Sequence, residues 1–364
     1  MTDREKFLKI ARFELKGEVC LPNQFQWFWA ETLVRWRKEG MAGDNHLLNI
    51  FGFERTEGIP VSLGLLPVFE GETIEETKDY RIRIGSDGVK RKEFIPKTDA
   101  EAATALSMSQ WLEFPVKDKR SWEEFKKRLN PHSPVRYPLN WEELKKGWKD
   151  RDYPLSLPGC SFYGWIRNWV GMENLALMFY DNPSLIHEMM DYIVYFTVET
   201  LKKAVNEVDI DFVCFWEDMA YKTASLISPR MFRDFMLPNY KKVTSFLREK
   251  GIDILLVDSD GNIEELIPLW LEGGVNGVYP LEVAAGMDVV AMRKKFGKNL
   301  IIEGGIDKRA LAKGKKEIET EVMKKVPYLL KGGGYFPGID HSVPHDVPLE
   351  NYLYYLKLIR EIGS

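Results

Sequence analysis

From about Leu155 to its end, the chain repeats one pattern: a short apolar or β-branched run, a loop, then a stretch with helical spacing of apolar residues. Strands are predicted over 211–216, 251–257, 275–279, 300–302 and 335–339. Helices are predicted from Asp181-Asn-Pro-Ser184 to about Val205, from Ser228-Pro229 to Lys250, from about Ile263, and over 287–296, 315–330 and 349–362. Ser228 and Pro229 suit the N-cap and first helical position, because the cap hydroxyl accepts an orphan N–H and proline has none to lose. Strands that alternate with helices pair in parallel, since each connection must cross the sheet before the next strand can form. Five such units, one more strand near Leu155 and room for two before it give eight. The expected fold is therefore α/β, a (β/α)8 TIM barrel. A doubly wound open sheet is the rival, but no Gly-x-Gly-x-x-Gly turn follows any strand.

With 364 residues the chain fits one elaborated barrel, so a single domain over 1–364 is expected. Residues 1–150 are less regular and read as an N-terminal extension. A helix is predicted over 31–40, and Ser121 and Asn140, each followed by Trp-Glu-Glu, read as helix N-caps. The segment 80–94 alternates on both sides of Asp87-Gly88, which predicts a β-hairpin insertion, a lid or a dimer contact.

Lys and Arg number 51 against 55 Asp and Glu, a net charge of −4, so the chain carries no electrostatic footprint for nucleic acid. No stretch reaches the roughly 20 apolar residues that span a bilayer, and no secretory h-region opens the chain. Cys20, Cys160 and Cys214 are an odd, scattered set, expected to be unpaired, which favours the cytoplasm.

In a barrel the chemistry belongs where strands hand over to helices. Five successive junctions carry acids: Glu217-Asp218, Asp258-Ser-Asp260-Gly-Asn262, Pro280-Leu-Glu282, Glu303 through Asp307, and Asp340-His341 followed by His345-Asp346. A single acid there is often only a helix cap, and Asp260 and Asp307 fit that role best. Five aimed at one hollow repel one another unless a metal, a cationic substrate or raised pKa values relieve them. Glu217, Asp218, Asp258, Glu303 and His341 are the catalytic candidates. Asn262 and Glu282 are substrate-binding candidates, with Phe162, Trp165, Trp216 and Tyr279 as aromatic walls. His46, His132 and His187 lie in less informative contexts. Phosphate loops, zinc-finger spacings, nucleophile elbows and His-Glu-x-x-His are absent, as is a corrinoid-binding Asp-x-His-x-x-Gly stretch.

The segment 159–351 resembles the uroporphyrinogen decarboxylase superfamily, which includes corrinoid-dependent methyltransferases. The resemblance rests on Phe179-Tyr-Asp-Asn-Pro-Ser184, Glu217-Asp-Met-Ala220 and Ile227-Ser-Pro-Arg-Met-Phe232 through Pro238 and Tyr240. It continues through the Asp258–Asn262 turn, Gly304-Gly-Ile-Asp307 and Pro348-Leu-Glu-Asn351. It implies a (β/α)8 barrel. The Arg-Gln-Ala-Gly-Arg-Tyr segment of true decarboxylases has no counterpart here, where the early region reads Ala11-Arg-Phe-Glu-Leu-Lys-Gly17.

Thiol-alkylating members bind zinc through a His-x-Cys pair and a distal Cys; those positions here read Asp258-x-Asp260 and His341. The resemblance thus implies a harder site, with Asp258, Asp260 and His341 as metal ligands and zinc as one candidate metal. It also implies a methyltransferase that takes a methyl group from a small ether or amine to a corrinoid on a partner protein, with a homodimer as an open option. The alternatives are a carboxy-lyase, using Arg167, Arg293 or Arg309 to hold substrate carboxylates, and a non-catalytic binding barrel.

Overall fold

The structure, a computed structural model, describes residues 1–42, 47–95 and 109–363; His46 lies outside them. In chain order the strands are β1 (Glu57–Gly58), β2 (Glu72–Glu76), β3 (Tyr80–Ile84), β4 (Lys90–Phe94), β5 (Gln110–Glu113) and β6 (Leu155–Pro158). They continue with β7 (Phe212–Trp216), β8 (Ile254–Asp258), β9 (Gly277–Tyr279), β10 (Ile301–Glu303) and β11 (Tyr335–Phe336). By internal contacts the chain divides into two compact units. One comprises residues 1–59, 140–159 and 203–364, the other 60–139 and 160–202.

The first unit is built on one parallel seven-stranded sheet in the order β1-β6-β7-β8-β9-β10-β11. From β6 onward each strand pairs with the next in sequence, the arrangement that helical crossovers produce. Helices follow as the spacing predicts, and the last, Leu349–Ile362, has the predicted bounds. Ser228 caps its helix by accepting from Met231 N, with Pro229 next.

The sheet is TIM-like but does not close into the expected eight-stranded barrel: no pairing joins β1 to β11 among the described residues. The segment before Phe25 makes only one parallel bridge, Pro22 with Glu54, before turning into the 3-10 helix Asn23–Phe25. The bridge is held on either side of Pro22, by Glu54 N donating to the Leu21 carbonyl and Asn23 N donating to the Glu54 carbonyl.

Alternate residues of the central strands enter one core: Phe212 from β7, Ile254 and Leu256 from β8, Tyr279 from β9, Ile301 from β10. The first helix, Asp3–Ala11, contributes to the same core through Phe7, Ile10 and Ala11. The Phe7 ring lies 4.7 Å from Phe212 and 4.9 Å from Phe336. Buried Arg293 caps the carbonyls of Gly297, Leu300 and Gly334, a structural duty that removes it as a substrate-binding candidate.

The second unit contains the predicted hairpin. β3 and β4 pair antiparallel from Tyr80↔Phe94 to Ile84↔Lys90, and β2 and β5 extend them to four strands. Gly88, at φ +80°, supplies the left-handed residue of the turn. In the helix Lys119–Phe125 the cap is Asp118, and Ser121 is its capping-box partner three residues on, not the cap itself. The three cysteines are free, as expected. No helix among the described residues is long and apolar enough to cross a membrane.

Truncating Phe7 to Ala empties a fully buried site between two aromatic rings. It is expected to cost about 3–5 kcal/mol, read as a lower denaturation midpoint in urea, whereas truncating the exposed Leu139 leaves the midpoint unchanged.

Candidate active site

Side chains in a strand alternate with period two, so the residues that follow the core positions on the same face point into the same interior. On β7 that face runs Phe212, Cys214, Trp216; on β8 Ile254, Leu256, Asp258; on β9 Gly277, Tyr279; on β10 Ile301, Glu303. The registers Trp216↔Asp258 and Asp258↔Tyr279 set these strand ends side by side. Trp216, Asp258, Tyr279 and Glu303 line a cavity of about 110 Å³. Asp260, Pro280, Ile339, His341 and Ser342 come from the following loops, and Phe25 and Trp27 from the N-terminal segment.

Other junction polar groups are engaged in holding the loops. Asp340 is fully buried and accepts from Val283 N and Lys308 N, both at 2.9 Å, which ties the β9 and β10 junctions together. Glu282 accepts from Gly261 N at 3.2 Å, and Asn262 donates to the Ala285 carbonyl at 3.2 Å. Gly261 adopts φ +84°, and a side chain there would lie 2.6 Å from the Ala220 carbonyl, so only glycine lets these two loops meet. Ser259 Oγ accepts from Met219 N, and Glu217, fully buried, accepts from the Tyr240 hydroxyl. Asp307 caps the helix Lys308–Lys313, as predicted, and also holds Arg309. Asp218 sits at φ +45°, a left-handed conformation uncommon outside glycine and a place where strain concentrates at functional loops.

The cavity acids are in a different state. Burial, then repulsion from Asp260 and Asp218, pushes the Asp258 carboxyl up to about 8, with His341 opposing. Burial and the nearby Asp258 drive Glu303 well above the usual carboxylate range. Glu303 Oε1 is buried without a hydrogen-bond partner, and its carboxyl fits only because Gly338 has no side chain to collide with it. Asp260, expected as a cap, instead faces His341 Nε2 at 3.3 Å and raises the imidazole pKa against the opposing effect of burial. The His341 ring stacks on Trp29, centroids 6.1 Å apart.

The structure thus brings Trp216, Asp258, Asp260, Tyr279, Glu303 and His341 to one cavity. Glu217, Asn262 and Glu282 are braces beside it. Phe162 and Trp165 belong to the second unit, where Phe162 is buried and Trp165 packs 6.0 Å from Trp169 and 6.4 Å from Phe196. His345 is exposed and offers only its carbonyl to Arg35. Among the described residues no three His, Cys, Asp or Glu side chains are arranged to hold a metal ion. The Asp258, Asp260 and His341 set does not fit a zinc centre as it stands, because His341 Nε2 is already turned to Asp260. Sequence reasoning missed Phe25, Trp27 and Trp29; the run Phe25-Gln-Trp-Phe-Trp29, with flanking turns and no strand or helix period, was the available signal.

Residues 167–362 match the sequence profile of a family described as Uroporphyrinogen decarboxylase (URO-D). A uroporphyrinogen decarboxylase of Campylobacter lari is 24% identical over 204 residues, 54% of each chain. One of Legionella pneumophila is 24% identical over 183 residues, 49% of this chain and 47% of that one. The chain spans about half the length of the curated relatives it matches. Among solved structures, a methyltransferase from Methanosarcina mazei aligns over 100% of both chains with a TM-score of 0.58 at 16% identity, a likeness of fold.

Two measurements check these electrostatics. Asp258, near 8 folded and 3.8 as a free side chain, makes folding take up a proton, so its contribution to stability is lost as pH rises through about 8. Asp258→Asn is expected to be more stable than the parent at pH 8, on the order of 3 kcal/mol, with the gap closing toward pH 4. His341 is expected to titrate above 6.5 by NMR, and Asp260→Asn to bring it down.

Proposed function

Because this chain belongs to the uroporphyrinogen decarboxylase family, we propose that it works in that superfamily's methyl-transfer chemistry. It moves a methyl group from a small methylated ether or amine to a reduced corrinoid carried by a partner protein. The observation that carries this reading is the cavity wall: carboxyl groups and aromatic rings, with no Lys or Arg among the lining residues. Uroporphyrinogen is a tetrapyrrole bearing many carboxylates, and this wall offers them no Lys or Arg to pair with. Of the arginines that could offset this, Arg293 caps backbone carbonyls and Arg309 is paired with Asp307. The cavity, about 110 Å³, is also below the roughly 300–1,000 Å³ of pockets that enclose larger ligands.

Cleaving a methyl–oxygen or methyl–nitrogen bond requires the leaving atom to depart uncharged. Asp258 retains its proton at neutral pH and lines the cavity, so it can give that proton to an ether oxygen as the bond breaks. The bond's electron pair stays on the oxygen, Asp258 is left as carboxylate, and the methyl group passes to the corrinoid cobalt(I). The Asp260–His341 pair beside it fixes the imidazole and is placed to return the proton. Trp216 and Tyr279 exclude water from the reacting carbon.

The curated relatives favour a second reading, decarboxylation, in which the same acid would protonate carbon. Incubation with cob(I)alamin and a panel of small methyl ethers and methylamines separates the two. Loss of the cob(I)alamin absorbance with a demethylated product is expected, with uroporphyrinogen left intact; turnover of uroporphyrinogen without methyl transfer overturns the proposal. Asp258→Asn is expected to lower kcat/KM by about 10²-fold or more. With an ether donor the parent's rate should fall as pH rises through about 8, where Asp258 gives up its proton. A donor already positively charged should remove that fall.

A further inference from the structure

Several charged groups around the cavity have a counterpart among the described residues. Asp260 faces His341, Glu282 holds a backbone N–H and approaches Lys308, and Asp340 accepts two backbone N–H groups. Asp258 and Glu303 have neither Lys nor Arg beside them in the cavity lining, and Glu303 Oε1 is buried with no hydrogen-bond partner at all. A protein that buries two adjacent carboxyls destabilises itself, unless something outside the chain completes the site. The rest of the wall holds four aromatic rings, Phe25, Trp27, Trp216 and Tyr279, with Pro280, Ile339 and Ser342 between them. Trp27 is 52% exposed and Trp29, stacked on His341, is 42% exposed, two large rings that folding alone leaves in water.

We propose that this cavity receives a small N-methylated ammonium, quaternary or protonated tertiary, and that such a cation is the methyl donor. Aromatic faces and carboxylates together select this chemistry over its neutral analogues. Methyl groups on a positive nitrogen spread the charge and bury well against rings, and a quaternary nitrogen leaves no N–H to satisfy. A metal ion would require three or more ligating groups converging on one point, which the described residues do not offer. A neutral ether would gain the ring contacts but bring no charge against which a carboxyl could ionise. Burial and neighbouring acids raise the pKa of both carboxyls, and an arriving cation is the partner against which one can ionise.

The inference rests on the methyl-transfer reading for the reaction, though not for the binding. For a quaternary donor the methyl–nitrogen bond breaks, its electron pair stays on nitrogen, and the methyl group goes to the corrinoid cobalt(I). The amine leaves neutral and no proton moves; a protonated tertiary donor leaves as the neutral secondary amine, which keeps its N–H.

Isothermal titration of the full chain with choline and with 3,3-dimethylbutan-1-ol, its neutral carbon counterpart, tests the binding without any turnover. Choline is expected to bind at least tenfold more tightly than the alcohol. Trp27→Ala, at a half-exposed ring whose loss spares the core, should weaken choline at least fivefold and the alcohol less, with the thermal midpoint unchanged. Glu303→Gln should narrow the preference between the two ligands. Equal affinity for both, or no binding of choline, overturns the inference. Cation selectivity without methyl transfer to cob(I)alamin overturns the reaction instead, and ether demethylation without cation selectivity leaves the reaction standing while this inference falls.

Discussion

The side-chain alternation of four parallel strands fixes the rest of this structure. Phe212, Ile254 and Ile301 enter the core, and two or four residues later the same faces carry Trp216, Asp258 and Glu303. A slip of one residue in any strand would turn its core residue outward and withdraw its cavity residue at the same time. Fold and site are therefore specified by one register. The cavity is the continuation of the hydrophobic core past the point where the sequence stops supplying apolar side chains, and its polar groups inherit the core's low dielectric.

That inheritance explains why acids so near one another in the fold behave differently. Asp340 is as buried as any group in the chain, yet two backbone N–H groups point at it, and Lys308 lies 3.8 Å away. Its burial is offset, and it links loops. Glu303 and Asp258 have no such backbone donors among the described residues, so desolvation dominates and holds both carboxyls above the usual carboxylate range. Structural carboxylates here are those met by backbone, and chemical ones are those left facing space. The left-handed Asp218 and the close contact at Gly261 keep the β7 and β8 loops pressed together, so the cavity is not closed by relaxation of its rim.

Much of this was legible in the sequence because strand and helix periods are local. The alternation after Leu155 implies the parallel order of six strands, and the strand-to-helix junctions alone bring Asp258, Glu303 and His341 to one place. What stayed hidden depends on distant partners. Nothing local separates Asp260 from Asp307, both polar turn residues before a helix, yet one meets His341 and the other Arg309 N. Trp27 lies in a segment without period, and it enters the cavity wall only because Phe28 bridges Val343, more than 300 residues on. The eighth strand was expected only from room in the chain, and around Pro22 the backbone makes a single bridge, to Glu54.

The sign of charge in the cavity then follows from which long cations were given structural work. Arg293 lies at the other end of the strand helices' reach, consumed by the carbonyls of Gly297, Leu300 and Gly334, and Lys308 spans Glu282 and Asp340. Neither is among the residues that line the cavity. An anionic substrate needs a convergent cation that is not already bound to the chain, because removing Lys308 from its carboxylates would expose the cost of burying Asp340. Reversing the preference would therefore take more than one substitution at the wall. A new arginine in place of Trp27 or Ser342 would meet Asp258 and Glu303 first and neutralise them, so the acids would have to go as well. The charge of the cavity wall is thus tied to the same buried carboxyls, Asp258 and Glu303.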